Sequence, residues 1–121
     1  MDTVNEQSEY RTINDINEYQ QKIEQFVIYP REHAYNYLSL GLASEAGEVA
    51  GVVKKVIRDN GGVFSDEAKL ALLKELGDVI WYVSTFASEI GVDMSDILAE
   101  NYYKLEFRAQ RGMLGGSGDN R

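Results

Sequence analysis

The sequence contains no cysteine, a single proline (Pro30) and a single histidine (His33). Without thiols there is no disulfide, no thiolate metal site and no cysteine nucleophile. With one histidine, a zinc site lacks its usual ligands. One proline leaves room for long uninterrupted helices. No apolar run approaches ~18 residues, so no membrane span is expected, and no charged-then-apolar leader is visible at the N-terminus. A reducing, cytoplasmic setting is compatible with all of this. Cations are scarce: 12 Lys and Arg face 20 Asp and Glu, for a formal charge of -8. Such a field repels a phosphate backbone, so a nucleic-acid polymer is not an expected partner. It would repel a free nucleotide too, unless a cation intervened.

Apolar residues make up 44% of the 121, enough for one globular domain with a modest core. Their spacing is helical. Ile16, Tyr19, Ile23, Phe26 and Val27 share one face of a first helix that Pro30 ends. A second helix is predicted from about Glu32 to Arg58, with the stripe Leu38, Leu42, Val49, Val52 or Val53, and Val56. Asn60, Gly61 and Gly62 stop it. Ser65 and Asp66 cap a third helix running to about Ile90. Asp93, with Asp96 three residues on, caps a fourth from about Met94 to Gln110. Residues 1–13 form a polar N-terminal segment, residues 14–111 a single all-α domain, and residues 112–121 a glycine-rich tail.

The third helix is apolar nearly all round. Leu73, Leu76, Ile80, Val83 and Ala87 make one face, which Val79, Tyr82, Phe86 and Ile90 widen. Such a helix is buried on more than one side, and four helices are too few to cover it. An oligomer is therefore expected, with the second and third helices in its interface.

Two acidic pairs interrupt these apolar faces. Glu45 and Glu48 are three apart, as are Glu75 and Asp78, so each pair lies within about 60° on one helix face. The 26 residues between Glu48 and Glu75 suffice to end one helix, turn and return antiparallel. Acidic residues on helices are ordinarily solvated surface. Glu45, however, stands in the core stripe, and Glu75 and Asp78 sit among Leu76, Val79 and Ile80 on a face shared with Tyr82. Carboxylates gathered there lose hydration and repel one another, so they must protonate or bind cations. Magnesium, with oxygen ligands and retained waters, suits the set, and manganese is a substitute. Gly41, Gly47 and Gly51 along the second helix each cost about 1 kcal/mol of helix propensity. They suggest a close helix approach or room for a ligand. Lys55 follows Glu48 by two turns, and Asn101, Lys104, Arg108 and Arg111 form a mostly cationic stripe on the fourth helix. That stripe reads either as a solvated helix end or as a clamp on phosphate oxygens.

These motifs together resemble the MazG-like, all-alpha nucleoside triphosphate pyrophosphohydrolases. The acidic hallmark reads EAGE from Glu45 to Glu48 and ELGD from Glu75 to Asp78. The stretches NEYQ (Asn17 to Gln20), LGLASEAGEV, KKVIRD, KELGDVIWYV and NYYKLEFRAQRG resemble the family in order and spacing. The ending GSGDNR resembles its compact bacterial and phage subgroup. Ser44 departs from a glycine common in the family. The resemblance implies a four-helix MazG-like fold and Glu45, Glu48, Glu75 and Asp78 as magnesium ligands. It implies Lys55, Asn101, Lys104 and Arg108 as contacts to phosphates or sugar. Tyr19, Gln20, Tyr82 and the GDNR tail are candidates for the base pocket. The implied reaction is hydrolysis of a nucleoside triphosphate to monophosphate and pyrophosphate, with one carboxylate, Glu48 or a neighbour, taking the proton of water. The implied assembly is a homotetramer or a dimer. The alternative is a helical module that binds magnesium or senses nucleotides without cutting them.

Overall fold

The computed structural model describes residues 11–119; the first ten residues of the expected polar segment and the last two residues of the tail lie outside them. Among the described residues four α-helices follow in chain order: α1 Ile16–Lys22, α2 Ala34–Asn60, α3 Asp66–Glu89 and α4 Met94–Gln110. Two 3-10 turns, Ile23–Phe26 and Arg31–His33, lie between α1 and α2. No strand occurs among the described residues. No helix among the described residues is long and apolar enough to cross a membrane.

The helix starts follow from short polar side chains that satisfy otherwise orphaned N–H groups. Asp15 Oδ1 accepts from the backbone N–H of Asn17 at 2.9 Å and of Glu18 at 3.2 Å. Ser65 Oγ accepts from Ala68 N at 3.1 Å, and Asp93 N donates to Asp96 Oδ2 at 3.2 Å. At the end of α2, Gly61 and Gly62 take φ of +59° and +79°, where a side chain would be strained, and Gly62 N donates to Val56 O at 3.2 Å.

α2 and α3 pack antiparallel as a long hairpin. One half of it is covered. Tyr29, Ala34 and Leu38 form the core there, with Val27, Trp81, Tyr82 and Phe86 against them. Tyr29 stacks on Tyr37 with ring centroids 5.0 Å apart. Its hydroxyl donates to Glu89, whose carboxylate also takes Arg31 Nη1 at 2.7 Å. The segment Tyr29-Pro30 is thereby tied to the far end of α3. Phe26 was expected on the buried face of the first helix, but it is exposed. The helix tightens into a 3-10 turn over Ile23–Phe26 and gives way to extended backbone at Val27, so Phe26 lies at the outer corner of that bend.

The other half of the hairpin has no cover among the described residues. Leu73 is 65% exposed, Leu76 51% and Ile80 41%. Val83 is half-buried and Ala87 buried, because the covered half begins there. α4 packs on α1 and on α3 but does not touch α2 among the described residues. The described residues are thus all-helical, as expected, with α1 and α4 lying against one half of the hairpin.

α1 is fastened to the start of α4 by its own side chains. Gln20 Oε1 accepts from Met94 N at 2.8 Å, and Asn17 Oδ1 accepts from Ser95 N at 3.0 Å. Three residues apart on α1, the two amides face the same way and cap the first turn of α4 from outside. The Gln20 amide also donates to Ser88 Oγ at 3.1 Å and Val92 O at 2.9 Å.

Candidate metal centre

The hairpin brings three carboxylates together. Glu45 from α2 and Glu75 and Asp78 from α3 each offer an oxygen, and these oxygens all lie within 4.8 Å of one another. Glu48 does not join this group. A rotation of about 60° from Glu45 carries it to the exposed flank of α2. Its charge still reaches Glu45. The Glu45 carboxyl is held above its ordinary range, chiefly by burial, then by Asp78, Glu75 and Glu48, and by a hydrogen bond shared with Glu75. A cation bound among these carboxylates would relieve that repulsion.

The donor set fits a hard divalent ion. It is all oxygen, and around a cation with bonds of about 2.1 Å neighbouring ligand oxygens are roughly 3 Å apart and opposite ones roughly 4.2 Å. The oxygens here, all within 4.8 Å of one another, are near enough for one ion to draw them in. Two ligands come from adjoining turns of α3, so rigid elements hold them rather than loops.

Tyrosines wall the cluster. The Tyr19 hydroxyl is raised by burial and then by the nearby Asp78 carboxylate. The Tyr82 hydroxyl is raised by burial, by its hydrogen-bonded neighbour Tyr37, and by Glu45 and Asp78. Tyr82 can lie there only because residue 41 is glycine: a Cβ on Gly41 would fall 2.0 Å from a Tyr82 ring carbon. The expected close approach is thus realised at Gly41. A Cβ on Gly47 or Gly51 would meet nothing within 4 Å, so neither marks a helix contact within this chain. Tyr37 was missed in the sequence, although Tyr37, Gly41 and Glu45 follow i+4 spacing along one ridge of α2.

The remaining candidates are dispersed. Gln20, expected beside a base, is buried and spends its amide on the α3–α4 junction and the start of α4. It is a structural lock, as is Asn17. Lys55 is exposed, and the carboxylate it acts on is Asp59, one turn along α2. Asn101 is exposed and lines a shallow cleft with Ile97 and Lys104. Lys104 Nζ lies 3.1 Å and Arg108 Nη2 3.3 Å from Asp119 Oδ1 of the tail. The charges that raise Glu45 are all carboxylates, and α2 and α4 are apart. Among the described residues of one chain the cationic stripe and the acidic cluster do not meet.

The model of the MazG nucleotide pyrophosphohydrolase domain matches residues 34–113, from the first residue of α2 into the start of the tail. The chain is 46% identical over 86 residues to the Gene 37 protein of Mycobacterium phage L5, covering 71% of this chain and 75% of that protein. No solved structure matches.

Proposed function

The chain belongs to the MazG nucleotide pyrophosphohydrolase family, and from that premise we propose that it hydrolyses nucleoside triphosphates to monophosphate and pyrophosphate with magnesium as cofactor. The observation that carries this reading is the convergence of Glu45, Glu75 and Asp78 from two helices, with ligand oxygens within 4.8 Å. Manganese is the natural substitute, being satisfied by the same oxygens.

In this reading Glu45, Glu75 and Asp78 hold the ion, which when bound offsets the phosphates' charge and polarises their oxygens. Glu48 stands outside the ligand group and open to water, so it is free to take a proton. It accepts one from the water that adds to phosphorus at the α–β bridge. The P–O bond to the bridging oxygen breaks, and pyrophosphate carries away the electron pair. Lys55, Lys104 and Arg108 donate to the oxygens on which charge accumulates, and Asn101 reaches the phosphates or sugar. Tyr19 and Tyr82 flank the cluster and offer aromatic surface to the nucleoside. Gln20 is not carried into this site, because its amide is spent inside the fold.

Since Lys104 and Arg108 have no contact with the cluster in their own chain, they serve the carboxylates of a neighbouring copy in this proposal. The uncovered apolar half of the hairpin supports such an assembly, a dimer or a tetramer. The deciding experiment is a panel of canonical and modified nucleoside triphosphates with magnesium, the products separated by chromatography. Monophosphate and pyrophosphate in equal amounts are expected. Tight binding with no product would instead make the protein a nucleotide-sensing module, and diphosphate with inorganic phosphate would place the cleavage at the wrong bond.

A further inference from the structure

The tail does more than end the chain. Gly112, Gly116 and Gly118 take φ of +68°, +93° and +87°, conformations that let residues 112–119 double back along α4. Lys104 and Arg108 both point at one oxygen, Asp119 Oδ1, and Arg108 Nη2 also donates to Gly118 O at 3.2 Å. The Arg108 side chain is only 4% exposed, yet its Nε is buried without a hydrogen-bond partner. The Asp119 side chain is 82% exposed. One carboxylate oxygen thus occupies two cations and leaves a buried donor unsatisfied, while the carboxylate itself stays mostly in water. Beside this contact lies a cleft of about 560 Å³, lined by Tyr103, Lys104, Phe107, Arg108 and Asp119 among others.

We propose that Asp119 is a displaceable plug: its carboxylate holds, on Lys104 and Arg108, the place of a substrate phosphate, and binding of a polyphosphate drives the tail off α4. The proposal rests on the nucleotide reading above and deepens it. A phosphate group presents three oxygens, so it can pair with Arg108 Nε and Nη2 together and with Lys104 as well. A pyrophosphate or triphosphate also brings more charge than one carboxylate. Asp119 is anionic at neutral pH, its carboxyl held below the ordinary range by hydrogen bonds from Lys104 and Arg108, so it competes as an anion. It is well solvated where it sits, and release costs it little hydration. The plug also offsets part of the charge of a cationic patch while no substrate is present.

The test uses the full chain, free of metal so that the acidic cluster does not hold the probe, titrated with inorganic pyrophosphate. Calorimetry reads affinity, and the backbone amide signals of Gly116 and Gly118 read docking of the tail. Pyrophosphate is expected to bind and to move both amides to the positions of a free chain. Asp119→Ala, with its helical circular dichroism unchanged, is expected to bind pyrophosphate about tenfold more tightly, the factor for a strap closed about nine-tenths of the time. Equal or weaker affinity in Asp119→Ala overturns the plug, as does a tail that stays docked at saturation or an absence of pyrophosphate binding in both proteins. Hydrolysis by the magnesium-loaded protein is scored separately. Turnover without displacement sinks the plug alone, and displacement without turnover of any triphosphate sinks the enzymatic reading alone.

Discussion

At the scale of single residues, Glu75 carries the sharpest expectation. It supplies one of three converging oxygens and shares a hydrogen bond with Glu45. Glu75→Gln removes a charge without changing shape. It is expected to lower turnover on the order of 100-fold or more, the scale on which losing one stabiliser of transition-state charge is felt, with unchanged helical circular dichroism. Gly41 tests packing rather than charge. In Gly41→Ala the new methyl group would overlap the Tyr82 ring, so the ring must move away from Glu45 and Asp78. A loss of about 1–3 kcal/mol is expected from overpacking, read by chemical denaturation. Gly47→Ala, which meets nothing within this chain, separates the effect of local contact from that of helix propensity.

At the scale of elements, the junction between α1 and α4 depends on two amides. Gln20→Ala leaves the Met94 N–H and the Val92 carbonyl without the partners they have now. A buried polar group stranded in this way costs about 1–3 kcal/mol. Exposed Gln21→Ala should change stability by no more than about 0.5 kcal/mol. The tail is an element with a pH dependence of its own. Asp119 has its carboxyl lowered when docked, so the contribution of this contact is present above the ordinary aspartate range, near pH 4. It is lost as pH falls through the lowered value, because protonation then removes the anion. The Gly118 amide signal should accordingly move toward a free-chain position only in acid, and in Asp119→Asn that transition should vanish.

At the scale of the whole molecule, one chain is an open hairpin with a short helix and a capped arm at one end. Leu73, Leu76 and Ile80 form an apolar band on α3 that no other described residue covers. Light scattering on the eluting protein is expected to give a multiple of the 13.6 kDa chain mass, and Leu73→Glu to shift it toward the single chain. A monomer at every accessible concentration would remove the support for a shared site. Complementation examines the shared site directly. Glu75→Gln and Arg108→Ala should each be nearly inactive alone. If cations and carboxylates of one centre come from different copies, re-association of the two variants as pairs should restore about a quarter of wild-type activity, because half the pairs are mixed and each has one intact centre. No recovery on mixing would place both groups in the same chain.

Much of the local structure was legible in the chain because its causes are local. Apolar spacing sets helix phase, Asp15, Ser65 and Asp93 with Asp96 start helices, and Gly61 with Gly62 stops one. The acidic cluster was legible for the same reason, since helical spacing on two antiparallel helices suffices to make Glu45, Glu75 and Asp78 meet. Other features depend on relations between elements that no window of sequence contains. Glu48 stands outside the cluster, exposed on the flank of α2, while its neighbour three residues earlier faces α3. Gln20 becomes a cap because α4 begins beside α1, and Tyr37 joins the site because Gly41 lets Tyr82 lean in. Asp119 finds Lys104 and Arg108 only after three glycines fold the tail back. The sequence by itself determined which helices form and which charges they carry, because those follow from dihedral preference and periodicity. Only the tertiary structure decided which of those charges meet, because that depends on how rigid helices pack and on where the chain doubles back.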